Sequence, residues 1–452
     1  MSSVLSNLFY FIVAISVLVA IHEYGHYIVG RWCGMKVLRF SIGFGKPIWT
    51  WRGRGPDHTE YCISSVPLGG YVKFLDEREG PIDPEDRGRA FTDKSVPARI
   101  AVLLAGPAFN FFFAIIAYFA LFSYGVPTVK PQIGVVSPGS YAAEAGLRYG
   151  DQILRVGERD TVDWESTLVG IMETMVADGR IELRVEADSG QQRTAVIDVG
   201  DDASRLTEPG QLFEGLGFLP WQPPAIVGEI VPGGAAEAAG IMSGDTITAI
   251  DGQPIASFND LSRVVGERPG RTVEVVVTRD GRGEQFDATL ATVESDGERR
   301  GQLGVGLNRD VSDYWYLRQY APVDAAGEAV AQTWASTTFT VKMFARMLTG
   351  EVSIKNISGP INIAQYAGSS ASAGFEQFIR FLALVSISLG VINLMPVPIL
   401  DGGQIVYQSI EGIKGSPLSI RSQVVGQQVG ILALLLLMSF AFYNDIARIL
   451  VD

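Results

Sequence analysis

Two histidines four residues apart, with an acid beside the first, are the residues of this 452-residue chain best suited to chemistry. They lie in His22-Glu23-Tyr24-Gly25-His26. A helix puts positions i and i+4 on one face, where two imidazoles can grip one zinc ion and Glu23 can take a proton from a water activated there. The chain has only 3 His, and the third, His58, sits in a charged loop and reads as solvated. The pair also falls within an apolar run, residues 8–29, where two His and a Glu are costly without partners or a function. Two core histidines hydrogen-bonded between helices would be the plainer use.

Catalytic zinc takes three protein ligands and leaves a fourth position open. The third candidate is Asp401, which ends an apolar run in Asn393-Leu394-Met395-Pro396-Val397-Pro398-Ile399-Leu400-Asp401-Gly402-Gly403. A turn residue before the Gly pair is the alternative reading of Asp401. Pro396 and Pro398 remove backbone donors and break the helix, leaving carbonyls that a substrate strand could satisfy. Asn393 can offer its amide to a developing oxyanion or to a neighbouring helix.

These residues need elements that bring them to one depth. Four apolar runs, residues 8–29, 100–124, 378–400 and 424–442, are each near the roughly 20 residues a spanning helix requires. No Lys or Arg precedes the first and no small-residue cleavage pattern follows it, so it reads as a retained span rather than a signal peptide. Arg31, Lys36, Arg39, Lys46, Arg52 and Arg54 crowd just after it, which sets that loop inside and both termini outside. Span one then runs inward with His22 and His26 in its last third, span two returns, and span three delivers Asp401 at its inner end.

Composition narrows the partners. With 49 acidic against 36 basic residues the net charge is −13, which argues against nucleic acid. Residues 126–313 hold 31 acidic and 16 basic residues, a net −15, so the negative charge of the chain sits in the outer region. Cys33 and Cys62 form no disulfide framework and no C-x-x-C, and both fall inside, where thiols stay reduced.

The outer region repeats itself. Residues 137–161 and 231–255 align at a constant offset of 94 through Pro138/Pro232, Gly146/Gly240, Gly150/Gly244 and Asp151/Asp245. Each copy has an Ala-rich short helix, an x-G-D turn, a β-run and a Leu-Gly-apolar stretch: Leu216-Gly217-Phe218 in one, Leu303-Gly304-Val305 in the other. Over about residues 127–310 these features resemble PDZ domains, whose Gly-Leu-Gly-Phe-type loop holds a chain-terminal carboxylate. Ordinary strand-end turns are the alternative for either loop.

His22-Glu23-x-x-His26, Gly106-Pro107-x-x-Asn110, the N-x-x-P-x-P-x-L-D-G run and the tandem insertion together resemble the site-2 protease family of intramembrane zinc metalloproteases, in its bacterial, sigma-E-regulating form. The resemblance covers essentially the whole chain. It implies one Zn2+ per chain on His22, His26 and Asp401, Glu23 as catalytic acid and base, and Asn393, Pro396 and Pro398 in substrate binding. It also implies an inner-membrane, multi-pass protein with periplasmic PDZ domains acting as a size filter or C-terminus reader. Its substrates would be single-span proteins: an anti-sigma factor already trimmed by another protease, and signal-peptide remnants.

The fold class expected is a polytopic α-helical membrane protein with four transmembrane helices, a membrane-associated β-rich loop and two inserted PDZ-like α+β domains. Its parts are span one (1–30), the β-rich loop (31–99), span two (100–124), PDZ-like domains at 127–220 and 221–310, an amphipathic helical region (314–375), span three (376–400) and span four (424–450). The loop reads as β-runs at 37–42 and 61–66 punctuated by glycines; family members carry a membrane-reentrant hairpin there. Residues 323–348 form a helix with Val330, Trp334, Val341, Ala345 and Leu348 on one side, suited to the outer membrane face or to packing on the second PDZ-like domain. A membrane PDZ adaptor with a non-catalytic metal site is the rival from another class; Glu23 separates the two, since a structural site needs no base. A zinc transporter would carry further ionisable clusters along its spans.

Overall fold

The computed structural model describes residues 3–187, 189–295, 298–307 and 315–451. Four helices are long and apolar enough to cross a membrane: α1 (Ser3–Trp32), α2 (Val96–Tyr124), α7 (Phe375–Asn393) and α9 (Ile420–Val451). Span three differs from the expected 376–400. Pro396 and Pro398 disfavour helical conformation at the residues before them, so the helix stops at Asn393. An irregular bend over 394–400 follows, and Asp401 opens a new amphipathic helix, α8 (Asp401–Lys414), instead of closing a span. The bend lies close on α8: a Cβ at Gly402 would meet the Leu394 carbonyl oxygen at 2.2 Å, and one at Gly403 that of Val397 at 2.1 Å.

The spans pack through small residues, which allow close backbone approach where no hydrophobic force drives helices together in lipid. Ala114 and Ala117 of α2 meet Ala325 and Ala329 of α5 (Pro322–Thr349) and Ala383 and Ile387 of α7. Ala14 and Leu18 of α1 meet Leu382 of α7. Asp445, in the last turns of α9 and 2% exposed, accepts from the backbone N–H groups of Gly359, Ile361 and Asn362 and so caps α6 (Pro360–Ser372) from a neighbouring helix.

The loop after span one forms β1 (Val37–Arg52) and β2 (Glu60–Phe74), longer than the two short runs expected. Each strand folds back, so Ser41 pairs with both Cys62 and Tyr71, and Cys62 with both Ser41 and Thr50. Left-handed glycines, Gly43 at φ +90° and Gly69 at φ +111°, permit the reversals. The outer segment 70–74 passes α1 so closely that a Cβ at Gly70 would lie 2.7 Å from Val19 and 3.1 Å from Glu23. Ile48, Trp49 and Trp51 at the far end are exposed apolar groups, as an interfacial aromatic belt requires.

The inserted repeat folds as two copies of one topology. The first has a four-stranded sheet in the order β6-β5-β7-β8 (Arg159–Asp160, Gln152–Val156, Arg180–Glu186, Gln192–Asp198) and the pair β4 (Ile133–Val136) with β9 (Phe218–Pro220). The second has β12-β11-β13-β14 (Gln253–Pro254, Thr246–Ile250, Thr272–Arg279, Arg282–Thr289), the helix α4 (Phe258–Gly266) and the pair β10 (Val227–Ile230) with β17 (Val305–Leu307); β15 and β16 (Ala291–Ser295, Glu298–Gln302) pair beside it. Strand β3 (Val126–Val129), expected in the first domain, instead pairs with β18 (Trp315–Arg318) and closes the insertion at its base. The expected second-domain end at 310 and helical-region start at 314 lie outside the described residues.

The shared aspartate of the repeat has a structural task. Asp245 accepts from the Met242 N–H at 2.8 Å and from Arg279 through both oxygens at 2.7 Å; Asp151 does the same with Arg148 N–H and the Arg193 guanidinium. Arg279 holds the Asp245 carboxyl below its ordinary range. A carboxyl lowered in this way adds stability that is present above its unfolded value of about 4 and is lost as pH falls through its folded value. Asp245→Asn is expected to cost about 2 kcal/mol in the second domain at neutral pH. Hydrogen exchange of the β11–β14 amides in the full-length protein should show that difference, and should show it vanish on acidification.

Helix α5 meets the first inserted domain rather than the second, which was the alternative partner. Its Ala325, Ala329, Thr333 and Ser336 face is buried against the bundle, and its polar groups hold the first inserted domain, not the second. Gln332 donates to Glu165 and Lys342 to Glu173, on α3 (Trp164–Asp178), while Arg318 pairs with Asp163. Val330, Trp334, Val341 and Leu348 stay exposed, as a lipid-facing side would be.

Candidate active site

Helix α1 presents His22, Glu23 and His26, all less than a tenth exposed, towards α2 and the start of α8. The Nε2 atoms of His22 and His26 are 3.2 Å apart. Asp401 Oδ2 lies 3.2 Å from the first and 3.5 Å from the second. Ligand atoms at about 2.0–2.1 Å from a tetrahedral zinc stand roughly 3.3 Å from one another, so these three atoms fit three corners of that tetrahedron. Asp401 Oδ2 is buried without a hydrogen-bond donor, the state of an acceptor that awaits a cation. Among the described residues this is the group of His, Cys, Asp and Glu arranged to hold a metal ion.

Helix α2 orients the imidazoles. His26 Nδ1 donates to the Val102 carbonyl at 2.7 Å, which leaves Nε2 as the lone-pair nitrogen facing Asp401. His22 Nδ1 faces the Asn110 amide at 3.1 Å. Gly106 lies between them: a Cβ there would meet His26 Nε2 at 2.4 Å and His22 Cε1 at 2.7 Å. Gly25 plays the matching part on α1, where a Cβ would meet the Ala105 carbonyl oxygen at 2.4 Å. The Gly106-Pro107-x-x-Asn110 run thus lines the site. Sequence reading placed it in span two without a task; the i, i+4 spacing of Gly106 and Asn110 was the available signal.

Glu23 lies within electrostatic reach of His22, His26 and Asp401, with segment 70–74 of β2 over it. Asn393, the last residue of α7, is half-buried, and its amide has no hydrogen-bond partner among the described residues. Pro396 is exposed and Pro398 half-buried in the bend; the Pro398 carbonyl accepts from Gln404 Nε2 at 2.8 Å. Nearer the N-terminal end of α2, Arg99 donates to both oxygens of Glu411 and ties α8 to the bundle, a pairing that sequence reading missed.

The structure brings His22, Glu23, His26 and Asp401 together and leaves the Leu-Gly loops far along the insertion. Leu216 and Phe218 are buried core residues, and the Gly217 N–H is bonded to the Phe213 carbonyl. Leu303 is likewise core, Val305 pairs with Ile230, and Gly304 has φ +81°.

Two imidazoles, a carboxylate and a buried acid within apolar helices are the apparatus of a metal-dependent hydrolase working in a membrane. The family model described as Peptidase family M50 matches residues 10–437, and the chain belongs to that family, the site-2 proteases; it is a zinc metalloprotease of the membrane. It is 41% identical over 448 residues to a protein of Neisseria meningitidis described as a zinc metalloprotease, covering 97% of this chain and 98% of that one. It is 39% identical over 454 residues to the regulator of sigma-E protease RseP of Salmonella typhimurium and 38% identical over 455 residues to that of Escherichia coli, with 99% of this chain and 100% of each relative covered. Among solved structures, a PDZ domain of an SdrC-like protein from Listeria monocytogenes is 23% identical and covers 21% of this chain and 94% of its own, at a TM-score of 0.18.

Proposed function

We propose that His22, His26 and Asp401 hold one zinc ion per chain and that Glu23 is the acid and base in cleavage of single-span substrates within the bacterial inner membrane. The spacing of the three ligand atoms carries the reading. Zinc, when bound, supplies Lewis acidity to the attacking water and the scissile carbonyl. The Glu23 carboxylate accepts the proton of that water and returns it to the leaving amine. Val102 holds His26 by its Nδ1–H, and Asn393 offers its free amide to the charge that develops on the carbonyl oxygen.

A helical substrate hides its carbonyls in its own hydrogen bonds and must be unwound first. Segment 70–74 is an outer edge of the β1–β2 ribbon and runs past Glu23, so an extended substrate can add to it as a further strand. Pro396 and Pro398 shape the bend that leads to Asp401. The names of the Salmonella and E. coli relatives concern sigma-E regulation, and an anti-sigma factor trimmed on its outer side is the substrate class proposed here, with signal-peptide remnants second. Both inserted domains are read as PDZ domains on the periplasmic side, serving as a size filter or C-terminus reader, as both termini are read to be periplasmic.

The test is zinc content and cleavage in one preparation. Wild type should carry one equivalent of zinc and cut a single-span substrate lacking a bulky outer domain, while Asp401→Asn should hold well under one equivalent and cut nothing. A folded wild type without zinc that leaves the substrate intact would favour a membrane PDZ adaptor.

A further inference from the structure

Asn110 is wholly buried on α2, and its amide is the group that His22 Nδ1 faces. As drawn, Nδ2 stands toward the imidazole at 3.1 Å and Oδ1 has no partner. Rotating the amide by half a turn exchanges the two atoms and keeps the number of hydrogen bonds, so the hydrogen-bond count alone favours neither orientation. The imidazole distinguishes them. With Nδ2 facing it, His22 Nδ1 must be the lone-pair nitrogen, and the proton of the neutral ring lies on Nε2, which points at Asp401 and His26. With Oδ1 facing it, Nδ1 carries the proton and Nε2 presents its lone pair to the centre. His26 already has that second arrangement, fixed by the Val102 carbonyl.

We infer that Asn110 Oδ1 accepts from His22 Nδ1–H and makes Asn110 a positioning residue: it selects the tautomer and ring orientation in which Nε2 can ligate. This rests on the metal reading proposed above. Asn110 is itself fixed from behind, since its backbone carbonyl accepts from Ser386 Oγ of α7 at 2.9 Å. The α7 helix therefore acts on the centre through Asn110 as well as through the bend that leads to Asp401.

The experiment is competition for zinc between a chelator and the full-length protein in detergent, for wild type, Asn110→Asp and Asn110→Leu. Asp keeps the acceptor and loses the donor; Leu loses both at similar volume. The expected result is zinc held about as tightly by Asn110→Asp as by wild type, and roughly 10- to 100-fold more weakly by Asn110→Leu. Nitrogen-15 spectra of histidine-labelled, zinc-free wild type should show His22 protonated at Nδ1, a readout that needs no variant to fold. Unchanged zinc affinity in Asn110→Leu, equal weakening in Asn110→Asp, or a His22 proton on Nε2 would each overturn the assignment. A wild type that binds no zinc would overturn the metal reading itself, and this inference with it.

Discussion

Glu23→Gln is expected to keep one equivalent of zinc and the wild-type fold while slowing cleavage of a single-span substrate by about 10²- to 10⁴-fold. Gln matches Glu in volume and helix propensity, so α1 should be undisturbed. His22, His26 and Asp401 are untouched, so the corners of the site keep their 3.2–3.5 Å spacing. Only a proton acceptor is removed. A carboxylate at a position 9% exposed is costly unless its charge is used, so the variant should be no less stable than wild type. Turnover by zinc-loaded Glu23→Gln within a few-fold of wild type would remove Glu23 as the base and leave the fold and metal readings standing.

The grouping of the candidate ligands was legible in sequence because it rests on local spacing and span counting. His22 and His26 share a helix face at i, i+4, and Asp401 reaches their depth only if two further spans intervene, as they do. The repeat was legible for a similar reason: a constant offset marks two copies whatever their tertiary contacts. What escaped notice depends on contacts between distant segments. The pairing of β3 with β18 joins residues almost 190 apart, and nothing local in Val126–Val129 names its partner. Asp445 reads as an acid near the end of a span until α6 is seen to begin against it. The prolines before Asp401 were recognised as helix breakers, but the restart of helix at Asp401 was not. Its cause is the close seat of Gly402 and Gly403 on the bend, where any side chain would collide. That seat fixes Asp401 at the first turn of a helix, where the end of span three was expected.

Gly106→Ala should weaken zinc binding by roughly 100-fold or more and abolish activity, against the usual sign of such a change. In a helix interior Ala is ordinarily favoured over Gly by about 0.5–1 kcal/mol. Here the added carbon would stand 2.4 Å from His26 Nε2, 2.6 Å from its Cε1 and 2.7 Å from His22 Cε1, so it strikes the metal-facing atoms themselves. Neither ring can simply turn away, because His26 is tied through Nδ1 to Val102 on the same helix and His22 faces Asn110 four residues further on. Relief must come from separating α1 and α2 or from breaking those hydrogen bonds, and either moves ligand atoms by about an ångström. We expect zinc affinity to fall by roughly 100-fold or more, beyond what loss of a single orienting hydrogen bond produces. The amides of the inserted sheets should exchange as in wild type, because the clash is confined to the bundle. Gly327→Ala is the matched control, in the interior of α5 with nothing within 4 Å of its added carbon; it should be neutral or slightly stabilising. Wild-type zinc affinity in Gly106→Ala would mean that the two helices yield to an added methyl group, and the close contact of α2 with the histidines would then not be what holds the site in shape.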